Sequence, residues 1–150
     1  MNPVTAFALD IVTSSHVGDE TVLTAGSPNG IREQHVKRLT STVEIARWVV
    51  KLAEDVYGIE LMSGAIPVGV DMDGIGKGVG DTLSEMGVFV VEIRGGVSPD
   101  DSSRYLNKRA EMYGRFSDRL NPDGEFGQVP FLTPSCSLLI QELVAPEKIF

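Results

Sequence analysis

Two aspartates stand where the surrounding residues are otherwise apolar. Asp10 interrupts Phe7-Ala8-Leu9-Asp10-Ile11-Val12, and Asp71 closes the run from Ile66 to Val70. A carboxylate in such a segment is costly unless it is paired, hydrogen-bonded or bound to a cation. If both segments are adjacent central strands, the two carboxylates converge, and close carboxylates do not both stay ionised without a cation. Mg²⁺ or Mn²⁺ would make them hard oxygen ligands suited to phosphoryl substrates. Two such ions can activate a water and stabilise the leaving 3′ oxygen of a phosphodiester. Simpler roles stand beside this one. Asp10 alternates with Leu9 and Ile11, as an outward-facing strand residue would, and Asp71 or Asp73 could cap a following helix.

The segment from Val70 to Asp81 (VDMDGIGKGVGD) excludes two nucleotide motifs. A P-loop needs a leading glycine and a hydroxyl after the lysine. Here Asp71 takes the first position and Gly78 follows Lys77. A dinucleotide fingerprint needs G-x-G-x-x-G, but Val79 and Asp81 occupy the two places where its third glycine would fall. An acid at a strand end remains, followed by glycines that allow close approach. Open α/β sheets place ligands at such strand ends.

The elements that must position these acids read as follows. Thr5 to Val12 is a buried strand, Thr21 to Ala25 a second, and Ile31 to Arg38 a third after the turn Ser27-Pro28-Asn29-Gly30. Ser41-Thr42-Val43-Glu44 is a capping box. The helix behind it carries Val43, Ala46, Val49, Val50, Ala53 and Tyr57 on one face and stops at Gly58. Ile66 to Val70 is a strand. A second helix has Val79, Leu83 and Met86 inward, Val88 to Ile93 is a strand, and a long helix runs from about Asp101 to Leu120. Its stripe of Leu106, Arg109, Tyr113, Phe116 and Leu120 is mixed. This order predicts an α/β mixed sheet, an antiparallel meander plus parallel strands flanked by helices.

The chain has 150 residues, suited to one domain, with 42% hydrophobic and 23% charged residues, as in globular proteins. No apolar run approaches membrane-spanning length, and the start lacks a basic n-region. The single cysteine, Cys136, and the absence of zinc-type spacing fit a reducing cytoplasm. A net charge of −8 counts against a general nucleic-acid binder, although clustered carboxylates with bound metal invert the local sign. The group Lys108-Arg109-Glu111 suits phosphate contact through Arg109, and equally a solvated helix face. His16, His35 and Asp19 read as surface or turn residues, and Trp48 and Phe116 as core.

Three stretches together resemble the nuclease domain of the tailed-bacteriophage terminase large subunit, the DNA-packaging motor. They are Leu9-Asp10-Ile11 with Gly18-Asp19-Glu20-Thr21-Val22, the glycine-rich segment from Val70 to Val79, and Tyr105-Leu106-Asn107-Lys108-Arg109-Ala110-Glu111-Met112-Tyr113. Leu139-Ile140-Gln141-Glu142-Leu143 is similar to a further family segment. The resemblance implies a ribonuclease-H-like fold and metal-dependent endonuclease activity on concatemeric viral DNA in the bacterial host cytoplasm. It implies Asp10 and Asp71, in preference to Asp73, as catalytic ligands of a two-metal Mg²⁺ or Mn²⁺ site. Lys77, Asn107, Lys108 and Arg109 stand as candidate contacts to double-stranded DNA. The implied partners are the terminase ATPase domain, the small terminase subunit and the portal, with no membrane. Two departures go with it: no ATPase domain is expected in this chain, and the family's third acid has no clear counterpart. Asp118, Asp123, Glu125 and Glu142 are not singled out by any spacing. The alternatives are a catalytically inactive prophage remnant or assembly module of the same fold, and another ribonuclease-H-like nuclease such as a junction resolvase.

Overall fold

A computed structural model describes residues 3–12, 20–121 and 123. His16, Asp19, Glu125, Cys136 and the segment Leu138 to Leu143 lie outside the described residues. The element order is β1 (Ala6–Val12), β2 (Glu20–Ser27), β3 (Gly30–Arg38), α1 (Thr42–Tyr57), a short 3₁₀ turn (Leu61–Ser63), β4 (Pro67–Asp71), α2 (Gly76–Glu85), β5 (Phe89–Ile93) and α3 (Lys108–Leu120). The strands form one five-stranded sheet in the order β3-β2-β1-β4-β5. β1, β2 and β3 pair antiparallel, whereas β4 runs parallel to both β1 and β5.

Alternation along the strands decides which face is buried. Phe7 and Leu9 of β1, Leu23 and Ala25 of β2, and Val68 and Val70 of β4 belong to one core cluster. That cluster also holds Ile45, Ala46, Val49 and Ala53 of α1, and Val79 and Leu83 of α2. Burying a side chain of the Leu or Ile type contributes about 1.5–3 kcal/mol, so this layer supplies most of the drive to form the sheet. The residues between them point to the opposite face. Ala8 and Asp10 are exposed there, and Phe89 and Val91 of β5 are 51% and 43% exposed.

The expected helices form, with differences in detail. Ser41 caps α1, its hydroxyl accepting from the Glu44 amide at 3.4 Å. The buried stripe of α1 contains Ile45, while Val43 is 43% exposed, so the apolar face is rotated from the one the sequence suggests. His35, expected at the surface, is half-buried and lies 2.7 Å from the Tyr57 hydroxyl. Trp48 packs against the core from its margin.

The largest difference is the third helix, which begins at Lys108 rather than near Asp101. Asp101 turns its carboxylate onto the amide and hydroxyl of Ser103, a local alternative to helix. Asn107 is the true cap, accepting from the Ala110 amide at 2.9 Å. The mixed stripe is not the buried face either, since Leu106 is 89% and Tyr113 56% exposed.

α1 ends at Gly58, whose φ of 66° is left-handed and whose amide donates to the Glu54 carbonyl at 2.9 Å. Gly58→Ala places a Cβ in that conformation, which costs about 1–2 kcal/mol. Urea denaturation is expected to show a lower midpoint with an unchanged slope.

Candidate metal centre

The parallel pairing of β1 with β4 matches Phe7 to Val68, Ala8 to Gly69 and Leu9 to Val70. Asp10 and Asp71 are the next residue on each strand. Both strands are interior, and both acids project from the face opposite the α1–α2 core. Neighbouring strands lie about 4.8 Å apart, so the backbone alone brings the two carboxylates level. Asp10 is exposed on β1 and Asp71 half-buried at the end of β4.

Partial burial raises the Asp10 acid above its ordinary value, and the charge of Asp71 raises it further. The Ile11 backbone opposes the shift by hydrogen bonding, but more weakly. Both effects disfavour a second negative charge at this place, and a bound cation would relieve both. The donor set is two carboxylates, whose hard oxygens suit a divalent cation. Among the described residues no group of three or more His, Cys, Asp or Glu side chains could hold a metal ion. Asp118 pairs with Arg104 at 3.9 Å.

The turn after Asp71 is built tightly. The Asp73 amide donates to Asp71 Oδ1 at 3.0 Å, so the Asp71 carboxylate braces its own turn instead of capping α2. α2 has no side-chain cap and starts at Gly76, where a Cβ would stand 1.7 Å from the Asp71 carbonyl oxygen. Only glycine lets the helix start this close to the strand end. That explains part of the glycine-rich register in a way a sequence motif does not.

The other sequence-selected residues are placed as follows. Arg109 reaches Asp73 Oδ2 at 3.7 Å and is 60% exposed, which sets a guanidinium beside the acidic turn. Lys77 lies in the first turn of α2 and pairs with Asp81 at 2.7 Å, both largely exposed. Asn107 serves as the cap of α3. Lys108 pairs with Asp100 at 2.8 Å and Glu111 at 2.7 Å, and is 24% exposed. In the sequence Glu111 stands out only as part of a charged group, yet it is 1% exposed. Lys108 first, then the Asp100 amide, hold its acid down at about 2. An i,i+3 and i,i+4 pattern of Lys108, Glu111 and Arg115 was the available signal, but such spacing normally marks a solvated face.

Sheet order, mixed strand directions and helical cover define a ribonuclease-H-like α/β fold. Solved structures that share it include nuclease domains of phage large terminase subunits. The nuclease domain of the large terminase subunit gp2 of bacterial virus Sf6 matches with a TM-score of 0.57 at 21% identity, over 79% of this chain and 55% of that one. The large terminase nuclease from thermophilic phage G20c with bound cobalt matches with a TM-score of 0.56 at 14% identity, over 92% of this chain and 62% of that one. This chain therefore spans about half the length of the Sf6 domain. The Sf6 domain also has structures with manganese and with calcium, and the G20c nuclease one with zinc. No protein-family model and no curated protein sequence matches the chain.

The burial of Asp10 and its repulsion by Asp71 have a measurable sign. A carboxyl whose folded-state pKa lies above its unfolded value of 3.8 is proton-rich in the native state. Stability therefore falls as pH rises from the unfolded value through the folded one, and the penalty is fully present above it. In chelator-treated protein at pH 7, Asp10→Asn is expected to raise Tm by about 1–3 °C. The gain should shrink as the pH falls to about 4, and scanning calorimetry across pH measures it. A variant no more stable than wild type at pH 7 would show that the Asp10 charge does not oppose folding.

Proposed function

We propose that this chain is a divalent-metal-dependent DNA endonuclease domain of the terminase large-subunit kind. Its substrate would be concatemeric double-stranded DNA in the bacterial host cytoplasm, cut during packaging. The observation that carries the reading is the placement of Asp10 and Asp71 at one register on adjacent interior strands. The shared fold with phage terminase nucleases supports it. No helix among the described residues is long and apolar enough to cross a membrane.

Asp10 and Asp71 would hold Mg²⁺ or Mn²⁺, which supplies Lewis acidity and lowers the pKa of a bound water. The chain's own residues do the rest. The Asp73 amide fixes one Asp71 oxygen. Arg109 stands beside the acidic turn with its guanidinium largely exposed, suited to bidentate contact with a phosphate. Lys77, at the start of α2, adds a second exposed cation on the helix that begins at the site. These cations would offset the repulsion that a protein of net charge −8 otherwise presents to DNA. The ATPase domain, small terminase subunit and portal would be the partners of such a domain.

A second reading, a metal- or DNA-binding module without cleavage, draws on the pair of acids being joined by no third among the described residues. Plasmid nicking in Mn²⁺ separates the two. Wild type should nick, chelation should abolish nicking, and Asp10→Ala should lose about 100-fold or more in rate. Equal rates for wild type and Asp10→Ala would sink the nuclease reading. Saturable Mn²⁺ binding without cleavage would favour the second. A strong preference for branched over linear duplex would redirect the assignment to a junction resolvase.

A further inference from the structure

The single buried residue of α3 is an acid. Glu111 Oε2 accepts from the Asp100 amide at 3.0 Å and from Lys108 Nζ at 2.7 Å. Oε1 accepts from the Asp101 amide at 3.1 Å and from Arg115 Nη2 at 2.9 Å. Two of these donors are backbone groups of the loop between β5 and α3, and two are cationic side chains of α3 itself. The carboxylate is therefore a clamp, with loop on one side and helix on the other. Burying a carboxylate is tolerable when its oxygens are satisfied in this way, and charge-assisted bonds are the strong ones. Taking the charge away would leave the loop amides and Lys108 with a poorer acceptor.

The consequence of the clamp lies at the other end of the loop. The Lys108 amide donates to the Val97 carbonyl at 2.8 Å and the Arg109 amide to the Gly95 carbonyl at 2.9 Å, closing the loop back on itself. Gly95 comes two residues after Ile93, which is paired with Asp71 in the sheet and accepts from the Met72 amide at 2.9 Å. The Arg109 guanidinium lies across Gly95, where a Cβ would stand 2.8 Å from Nη2. From there it reaches Asp73, whose amide is bonded to Asp71. A chain of contacts thus runs from Glu111 through the loop and Arg109 to Asp73 and Asp71.

We infer that Glu111 is a positioning residue for Arg109: by locking the 94–107 loop onto α3 it holds the guanidinium beside Asp73, in the turn that follows Asp71. An exposed arginine otherwise loses rotamer freedom when it engages a phosphate, and holding it in place beforehand removes part of that cost. The phosphate as ligand of Arg109 rests on the nuclease reading above, whereas the placement of Arg109 by Glu111 does not. Glu111 touches neither acid and is not a catalytic residue.

The test pairs a structural readout with a binding one. The Arg109 Nε–H resonance is followed by NMR in wild type, Glu111→Gln and Arg115→Met. Arg115→Met removes one largely exposed donor and keeps the test alive if Glu111→Gln does not fold. Both variants are expected to move that resonance to the position of a free arginine side chain. Amide exchange within residues 95–107 should speed up about tenfold while sheet amides stay protected. Fluorescence anisotropy with a linear duplex should show about fivefold weaker binding for Arg109→Ala and for Glu111→Gln. The combined variant should be no weaker than Arg109→Ala alone, because the two residues act as one unit. An unmoved Arg109 resonance in the folded variants overturns the inference, and so do additive losses. If wild type binds no DNA, the nuclease reading fails on its own and the resonance still decides the positioning.

Discussion

Two like charges are held side by side by backbone pairing, and the rest of the site follows from that constraint. Asp10 and Asp71 sit one residue beyond the Leu9–Val70 pair of two parallel interior strands. Neither backbone position can move without breaking the ladder. The ladder is itself secured by the apolar layer of Phe7, Leu9, Val68 and Val70 against α1 and α2. Core packing therefore supplies the free energy that keeps the carboxylates together, and their repulsion makes the place receptive to a cation.

The molecule deals with its acids in two opposed ways. Glu111 is buried and surrounded by four donors, and its acid is held down at about 2. Asp10 is nearer solvent, yet burial and Asp71 push its acid up. A carboxylate satisfied by its own protein is a structural element, whereas one left in electrostatic conflict is open to a ligand. Exposure alone would have ranked these two residues the other way round.

The glycine-rich turn joins the two halves of the site. Gly76 lets α2 begin against the Asp71 carbonyl, and Asp73 links Asp71 to Arg109 across the turn. α3 is then anchored to the neighbouring strand end through Gly95 and Val97. At its far end Arg119 donates to the Pro28 carbonyl in the β2–β3 turn. The third helix thus owes its place largely to polar contacts rather than to a buried apolar face, its one buried residue being Glu111.

Much of this was legible in the residues themselves. Apolar runs and turn residues marked the five strands, Gly58 marked a helix end, and Asp10 and Asp71 stood out because a charge interrupts an apolar strand. These signals are local, and the backbone obeys them because hydrogen bonding and side-chain burial act over a few residues. The α1 face was misjudged at Val43 and Ile45, since which stripe turns inward depends on the sheet it meets. α3 starts later than its apolar pattern suggests, because Asp101 bonds Ser103 locally and the Asp100 and Asp101 amides bond a carboxylate eleven and ten residues away. By itself the sequence determined that two acids lie in strands. Only the tertiary structure decided that the strands are parallel neighbours in register, because strand pairing is fixed by long-range burial and not by the strands' own composition.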